Sequence, residues 1–247
     1  MAKGIRIKGQ HGFLQIDSSY RNMRLIGKSG ITIPMATTKM VGSQLVITAG
    51  SLYYTPVDND SVIAIEKLSN MSNSESSTIR CEKIISTLPE INGKIVYLIS
   101  STNYNTSESV TVYEFSPSFI KSNANYGMRI YNSQKSQLIF DSGHAPLNVV
   151  SFKRENAPYV GNKALITDLP SDRRYAVVTP ENSLGWVVSG VWAQWIYGGF
   201  RQYLNNGLMR FSYDPQLEAV NISPAYAGSV EHADNTRSML IIDVTNM

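Results

Sequence analysis

The chain has 247 residues, 43% hydrophobic and only 17% charged, with a net charge of +3 and a single cysteine, Cys81. That length buries roughly 70–75% of the unfolded surface without covalent staples, and one cysteine excludes an intrachain disulfide framework. The cations form no dense run beyond Lys153-Arg154 and Arg173-Arg174, so the clustered basic footprint of a nucleic-acid binder is missing.

No apolar stretch approaches the length needed to span a bilayer, and membrane insertion is not expected. Met1-Ala2-Lys3-Gly4 runs straight into a strand pattern, so the expectation is synthesis in a cytosol with no leader. In the first strand Ile5 and Ile7 alternate with Arg6 and Lys8, placing apolar side chains on one face and cations on the other. A loop, Gly9-Gln10-His11-Gly12, leads to Leu14 and Ile16 alternating with Phe13 and Gln15. This predicts a β-hairpin, closed by Asp17-Ser18 bonding nearby backbone. Strands are then expected at 23–26, at 31–33 up to Pro34, at 44–48 up to Gly50, and at 61–68. Further strand patterns cover 78–85, 94–100 and 108–115, the last two flanking a polar loop at 101–107. Residues 117–125 read as a connection.

After that connection the opening pattern returns. Gly4-Ile5-Arg6-Ile7 reappears as Gly127-Met128-Arg129-Ile130, and Leu14-Gln15-Ile16-Asp17-Ser18 as Leu138-Ile139-Phe140-Asp141-Ser142. The copies differ by one residue of loop. Two copies are too few for a solenoid, so the repeat denotes a duplicated domain or a reused hairpin. A third strand is expected after each hairpin, at 23–26 and 147–150. Later strands are expected at 175–179, 184–191, 208–213 and 239–244. Residues 191–203 are the one candidate helix, weakened by Gly198-Gly199 at about 1 kcal/mol per glycine. The expected fold is all-β: two related β-sandwich-like modules, residues 1–120 and 121–247, with short antiparallel strands and little helix.

Catalytic spacing is absent. Gly27-Lys28-Ser29 ends like a phosphate-binding loop, but the earlier glycine is replaced by Asn22 and a strand pattern, not a helix, follows. His11, His144 and His232 show no metal-ligand spacing, and Asp58-Asn59-Asp60 lacks the glycine and terminal glutamate of a calcium loop. Asp141, Asp172 and Glu218 do not define an acid pair. No catalytic, cofactor-binding or metal-binding residue is therefore nominated, no cofactor is expected, and the chain is not read as an enzyme. The strongest remaining feature is aromatic: Trp186, Trp192, Trp195, Tyr197, Phe200 and Tyr203. Trp186 fits a core. Trp192, Trp195, Tyr197 and Tyr203, with Gln194 and Gln202 between them, are interface or glycan candidates, because aromatic faces stack on sugars and anchor interfaces.

The repeated Gly-x-Arg-Ile and Leu-x-x-Asp-Ser hairpin resembles small β-rich proteins encoded among the tail genes of tailed bacteriophages. Tyr126 to Asn132 with Gln137 to Ser142 is the clearer instance, and Gly4 to Tyr20 the similar one at the chain start. The resemblance covers about a quarter of the chain, the size of two ordinary hairpins. It implies a non-enzymatic virion component at the tail tip, tail fibre or fibre attachment, made in the bacterial cytoplasm and working among other tail proteins. It also implies a homo-oligomer, either a trimer or a hexameric ring. Two alternatives are a module that binds a host surface glycan or receptor, and a tail-associated polysaccharide hydrolase.

Overall fold

The computed structural model describes residues 6–8, 14–17, 23–41, 44–48, 50–55, 61–68, 78–84, 95–103, 105–117, 121–131, 138–156, 165–178, 185–189, 192–221, 230–232 and 236–247. Regular structure among them is strand. The first half holds β1 (Arg6–Lys8), β2 (Leu14–Asp17), β3 (Arg24–Ile33), β4 (Thr37–Val41), β5 (Gln44–Thr48), β6 (Gly50–Tyr54), β7 (Val62–Lys67), β8 (Ile79–Ile84), β9 (Val96–Ser101) and β10 (Glu108–Ser116). The second holds β11 (Arg129–Tyr131), β12 (Leu138–Asp141), β13 (Val149–Asn156), β14 (Leu165–Pro170), β15 (Tyr175–Val178), β16 (Gly185–Ser189), β17 (Trp192–Asn205), β18 (Leu208–Asn221), β19 (Val230–His232) and β20 (Thr236–Asp243).

A six-stranded sheet runs β13-β20-β15-β7-β10-β3. An eight-stranded sheet follows β14-β18-β17-β8-β9-β6, with β16 paired to β17 and β19 paired to β16. All pairings are antiparallel. Strand alternation explains how the sheets stack. Ile63, Ile65, Val110, Val112, Tyr175, Val177, Met239 and Ile241 face Ile79, Cys81, Tyr97, Ile99, Phe200, Met209 and Phe211 in one cluster. Each buried side chain of this size contributes about 1.5–3 kcal/mol, and Tyr175 meets Phe211 edge to face at 5.8 Å. The fold is thus all-β and sandwich-like, as expected.

The six-stranded sheet is apolar on its other face too. Ala64, Tyr113, Phe115, Ala176, Val178, Ile242 and Val244 form a second cluster, against which Met23, Leu25, Leu147 and Met247 pack. Leu25 N–H donates to Ala145 O (2.9 Å) and Leu147 N–H to Met23 O (3.0 Å). These bonds bring the start of β3 to the segment leading into β13, although β3 and β13 are opposite edges of one sheet. The sheet therefore curls around the second cluster. Burial on both faces is why β7, Val-Ile-Ala-Ile-Glu-Lys, is apolar at consecutive positions.

The two halves pair alike. β10 lies between β3 and β7 as β20 lies between β13 and β15, and β9 lies between β6 and β8 as β18 lies between β14 and β17. Even the irregularity repeats: Leu25 pairs Phe115 and Gly27 pairs Glu114, while Val149 pairs Ile242 and Ser151 pairs Ile241, one residue being skipped each time. The halves join antiparallel at Val177↔Ile65 in one sheet and Phe200↔Ile79 in the other. This is the geometry of an approximate twofold axis through both seams. Gly199 makes the second seam fit, since a Cβ there would lie 2.3 Å from Thr78 Cγ2.

Two local expectations are corrected. Residues 192–205 are one long strand, not a helix: β17 pairs residue for residue with β18 along its whole length, and that ladder offsets the cost of the two glycines within it. The strands expected at 23–26 and 31–33 are the two ends of β3, so Gly27-Lys28-Ser29 is extended backbone within a ladder. No loop exists there to cradle a phosphate. Lys28 Nζ donates instead to Met247 O at 2.9 Å. His11 and Asp58-Asn59-Asp60 lie outside the described residues.

Candidate functional site

The repeated hairpins share one backbone design. In β1·β2 the register is Arg6↔Asp17, Ile7↔Ile16 and Lys8↔Leu14, with a shift between Ile7 and Lys8. In β11·β12 it is Arg129↔Asp141, Ile130↔Phe140 and Tyr131↔Leu138, with the shift between Ile130 and Tyr131. The bulge explains the spacing of the motif, because it absorbs one residue on the return strand.

In the second hairpin each repeated residue has a task. Ile130 and Leu138 are buried. Asp141, also buried, receives the Arg129 guanidinium at 3.1 Å, the Ser122 N–H at 2.9 Å, the Ser122 hydroxyl at 2.9 Å and the Gly143 N–H at 2.9 Å. Burial alone would raise its pKa. The Gly143 and Ser122 N–H groups, the Arg129 guanidinium and the Ser122 hydroxyl outweigh it and hold the carboxyl well below the usual range. Arg129 also donates to the carbonyls of Ser122 and Ala124, at 3.1 and 2.9 Å. Ser142 Oγ accepts the Met128 N–H at 2.7 Å. Gly127, at φ 135°, lies so close that a Cβ would sit 2.5 Å from that oxygen. Arg129 is therefore a half-buried clamp tying residues 122–124 to the hairpin.

The six interface or glycan candidates all lie on β17, but not on one face. By strand alternation, positions 192, 194 and 202 share a face and positions 195, 197 and 203 share the other. The side chains of Trp192, Gln194, Trp195 and Tyr197 lie outside the described part of the structure. Gln202 does not face a ligand. It is 2% exposed, and its Oε1 accepts the Lys67 N–H at 3.4 Å inside the sandwich. Nearby, Lys67 and Glu108 form a buried ion pair at 3.1 Å. Strand alternation accounts for this correction, since Gln202 follows Phe200 onto the core face. Tyr203 is half-buried on the outer face. Opposite it Arg210 grips Asp168 with bonds of 2.7 and 2.8 Å. Those bonds, with a lesser one from Tyr203, raise the Arg210 pKa above its ordinary value.

The distal halves of β17 and β18 extend past the sandwich seam; there β17 pairs with β16 instead of β8, and β16 pairs in turn with β19. Register builds one row across all four strands of this arm. Trp186 lies opposite Trp195 and also opposite Glu231, while Trp195 lies opposite Glu218. Directly paired residues project from the same face of a sheet, so the row is Glu231, Trp186, Trp195, Glu218. Sequence alone placed Trp186 with a core and gave no cross-strand partner for it.

The polar loop at 101–107 is pinned by Asn103. Its Oδ1 accepts the N–H groups of Asn105 and Thr106, at 3.0 and 3.2 Å, and its Nδ2 donates to Glu108 at 2.8 Å. Among the described residues, no group of three His, Cys, Asp or Glu side chains is placed to hold a metal. Comparison with protein-family models, with curated proteins and with solved structures finds no match to this chain.

Proposed function

We propose that this chain is a non-enzymatic structural component of a bacteriophage tail, at the tail tip, fibre or fibre attachment, working in several copies among other tail proteins. One observation carries the reading: the hairpin that resembles phage tail proteins occurs twice with the same register and the same bulge. A motif whose Gly, Arg, Ile, Asp and Ser are all used in folding, as in β11·β12, suits a building element better than a catalyst. Low charge suits close packing among copies, and cyclic assemblies of three or six are the arrangement the resemblance implies. The protein would be made in the host cytoplasm and carried in the virion. Mass spectrometry of purified particles is the test. Peptides from this chain in washed virions support the reading, and their absence from particles rejects it.

Binding of a host glycan is the second reading, favoured by the paired tryptophans of the arm. A glycan array with the assembled protein tests it, and no binding at high concentration counts against it.

A further inference from the structure

We propose that β13 pairs edge to edge with β13 of a second copy of this chain, antiparallel about a twofold axis at Lys153, so that the two six-stranded sheets become one. The inference rests on the reading that the chain works in several copies, and it names the joining strand.

β13 ends the six-stranded sheet, and among the described residues no strand pairs on its other side. An exposed edge of this kind is a template for another chain. The opposite edge of the same sheet is guarded. β3 exposes Lys28, Gly30 and Thr32, while its leucine and isoleucines are buried or half-buried. β13 instead leaves Phe152 57% exposed, Val149 47% and Val150 37%. Register shows which face two of these occupy. Phe152 lies opposite Leu240 and Val149 opposite Ile242. Ile242 belongs to the second cluster and Leu240 packs against it. Facing residues share a side of the sheet, so Phe152 and Val149 carry that apolar face out to the edge, where it meets water. Neighbouring apolar side chains left exposed denote an interaction surface.

The strand itself selects a second copy as the occupant. Because facing residues share a side, self-pairing must join positions that are an even number apart. Val150 is skipped by the ladder to β20, and a bulge interrupts regular pairing. Centring on Lys153 keeps the new ladder within 151–155, clear of that bulge. It sets Phe152 of each copy opposite Arg154 of the other, both exposed and both on the outer face. A guanidinium over a phenylalanine ring is a cation–π pair, and the twofold axis makes one in each direction. Lys153 does not crowd the axis, since its ammonium is turned to Ile166 O beside Asp168. The chain already joins like to like in this manner. β7 of one half meets β15 of the other, antiparallel at Val177↔Ile65. A surface that meets itself about a twofold axis closes as a dimer.

Sedimentation velocity of the full chain, up to about 0.5 mM to reach weak contacts, tests this. The native chain should form dimers by mass action. Phe152→Lys sets like charges opposite each other and should weaken dimerisation about tenfold or more. Adding Arg154→Glu to it should restore most of the affinity, because the facing charges then attract. Both positions are exposed, and circular dichroism checks that the β signal is kept. Cysteines read the register. Facing Cα atoms in a ladder lie about 4.5–5.5 Å apart, within disulfide reach, and Cys81, the one native cysteine, is buried. The Lys153→Cys chain should cross-link to its like under mild oxidation, and the Phe152→Cys chain should not. A chain that stays monomeric, dimers indifferent to Phe152→Lys, or cross-linking at 152 in place of 153 overturns the proposal. A monomer in solution that is nevertheless present in virions rejects the pairing and leaves the tail reading standing. Dimers in solution with no chain in virions do the reverse.

Discussion

Asp141→Asn removes one charge from the centre of the repeated motif. The carboxylate is 4% exposed and takes its bonds from three residues, Ser122, Arg129 and Gly143. Breaking a fully buried ion pair costs about 3–5 kcal/mol. Arg129 keeps 27% of its side chain exposed and can rehydrate, and the amide still accepts some of the N–H bonds. The expected loss is therefore about 2–4 kcal/mol, or a fall in Tm of roughly 5–15 °C for a chain of this size. The assay is urea or thermal denaturation followed by circular dichroism, with Asp172→Asn as an exposed control expected to change little. The pH dependence gives a second readout. The folded pKa is depressed, so the contribution is complete above the unfolded value near 4 and is lost as pH falls below it. The variant should lack that acid-sensitive component. A loss below about 0.5 kcal/mol, the range of ordinary surface substitutions, would refute the clamp.

Because β1·β2 has the register of β11·β12, Asp17→Asn should destabilise the chain by a similar amount in the same melts; indifference at Asp17 would show that the likeness ends at the backbone. Gly199→Val should cost more than about 3 kcal/mol, since even a Cβ meets Thr78 and the Ile79 backbone at the seam, and urea denaturation would read it. Tyr97 is buried and donates to Ser61 O at 3.2 Å. Burial first, then the charges of Cys81 and Glu114, push its pKa up to about 12. A raised folded pKa means stability is intact below the unfolded value near 10 and is lost as pH climbs toward 12. Absorbance at the tyrosinate band should show this late titration, and Tyr97→Phe should remove it. Gly127→Ala should cost about 1–3 kcal/mol through its positive φ and the Ser142 contact.

The hairpins were legible in the sequence because a period of two, turn residues and internal likeness all agree there. So were β5, β7, β8, β9, β10 and β15, whose apolar patterns end at polar or breaker residues. Three things were hidden for physical reasons. Position 27 in β3 and positions 198–199 in β17 are glycines, which local propensity reads as breaks while cross-strand pairing carries the ladder through them. Arg129 alternates like a surface cation, and only the fold of residues 122–124 back onto the hairpin makes it a clamp. The pairing of Trp186 with Trp195 depends on which strands become neighbours, information that lies in the topology. The aromatic run was visible, but its division between two faces follows from its being a strand, where a helix was the competing expectation.

The central claim, a structural tail protein present in several copies, is most directly tested by counting those copies. Quantitative mass spectrometry of purified tails, referenced to a tail protein of known stoichiometry, gives the number per particle. The account predicts a fixed multiple of three or six that resists high-salt washing. Absence from the particle, or a trace amount that varies between preparations, would contradict it.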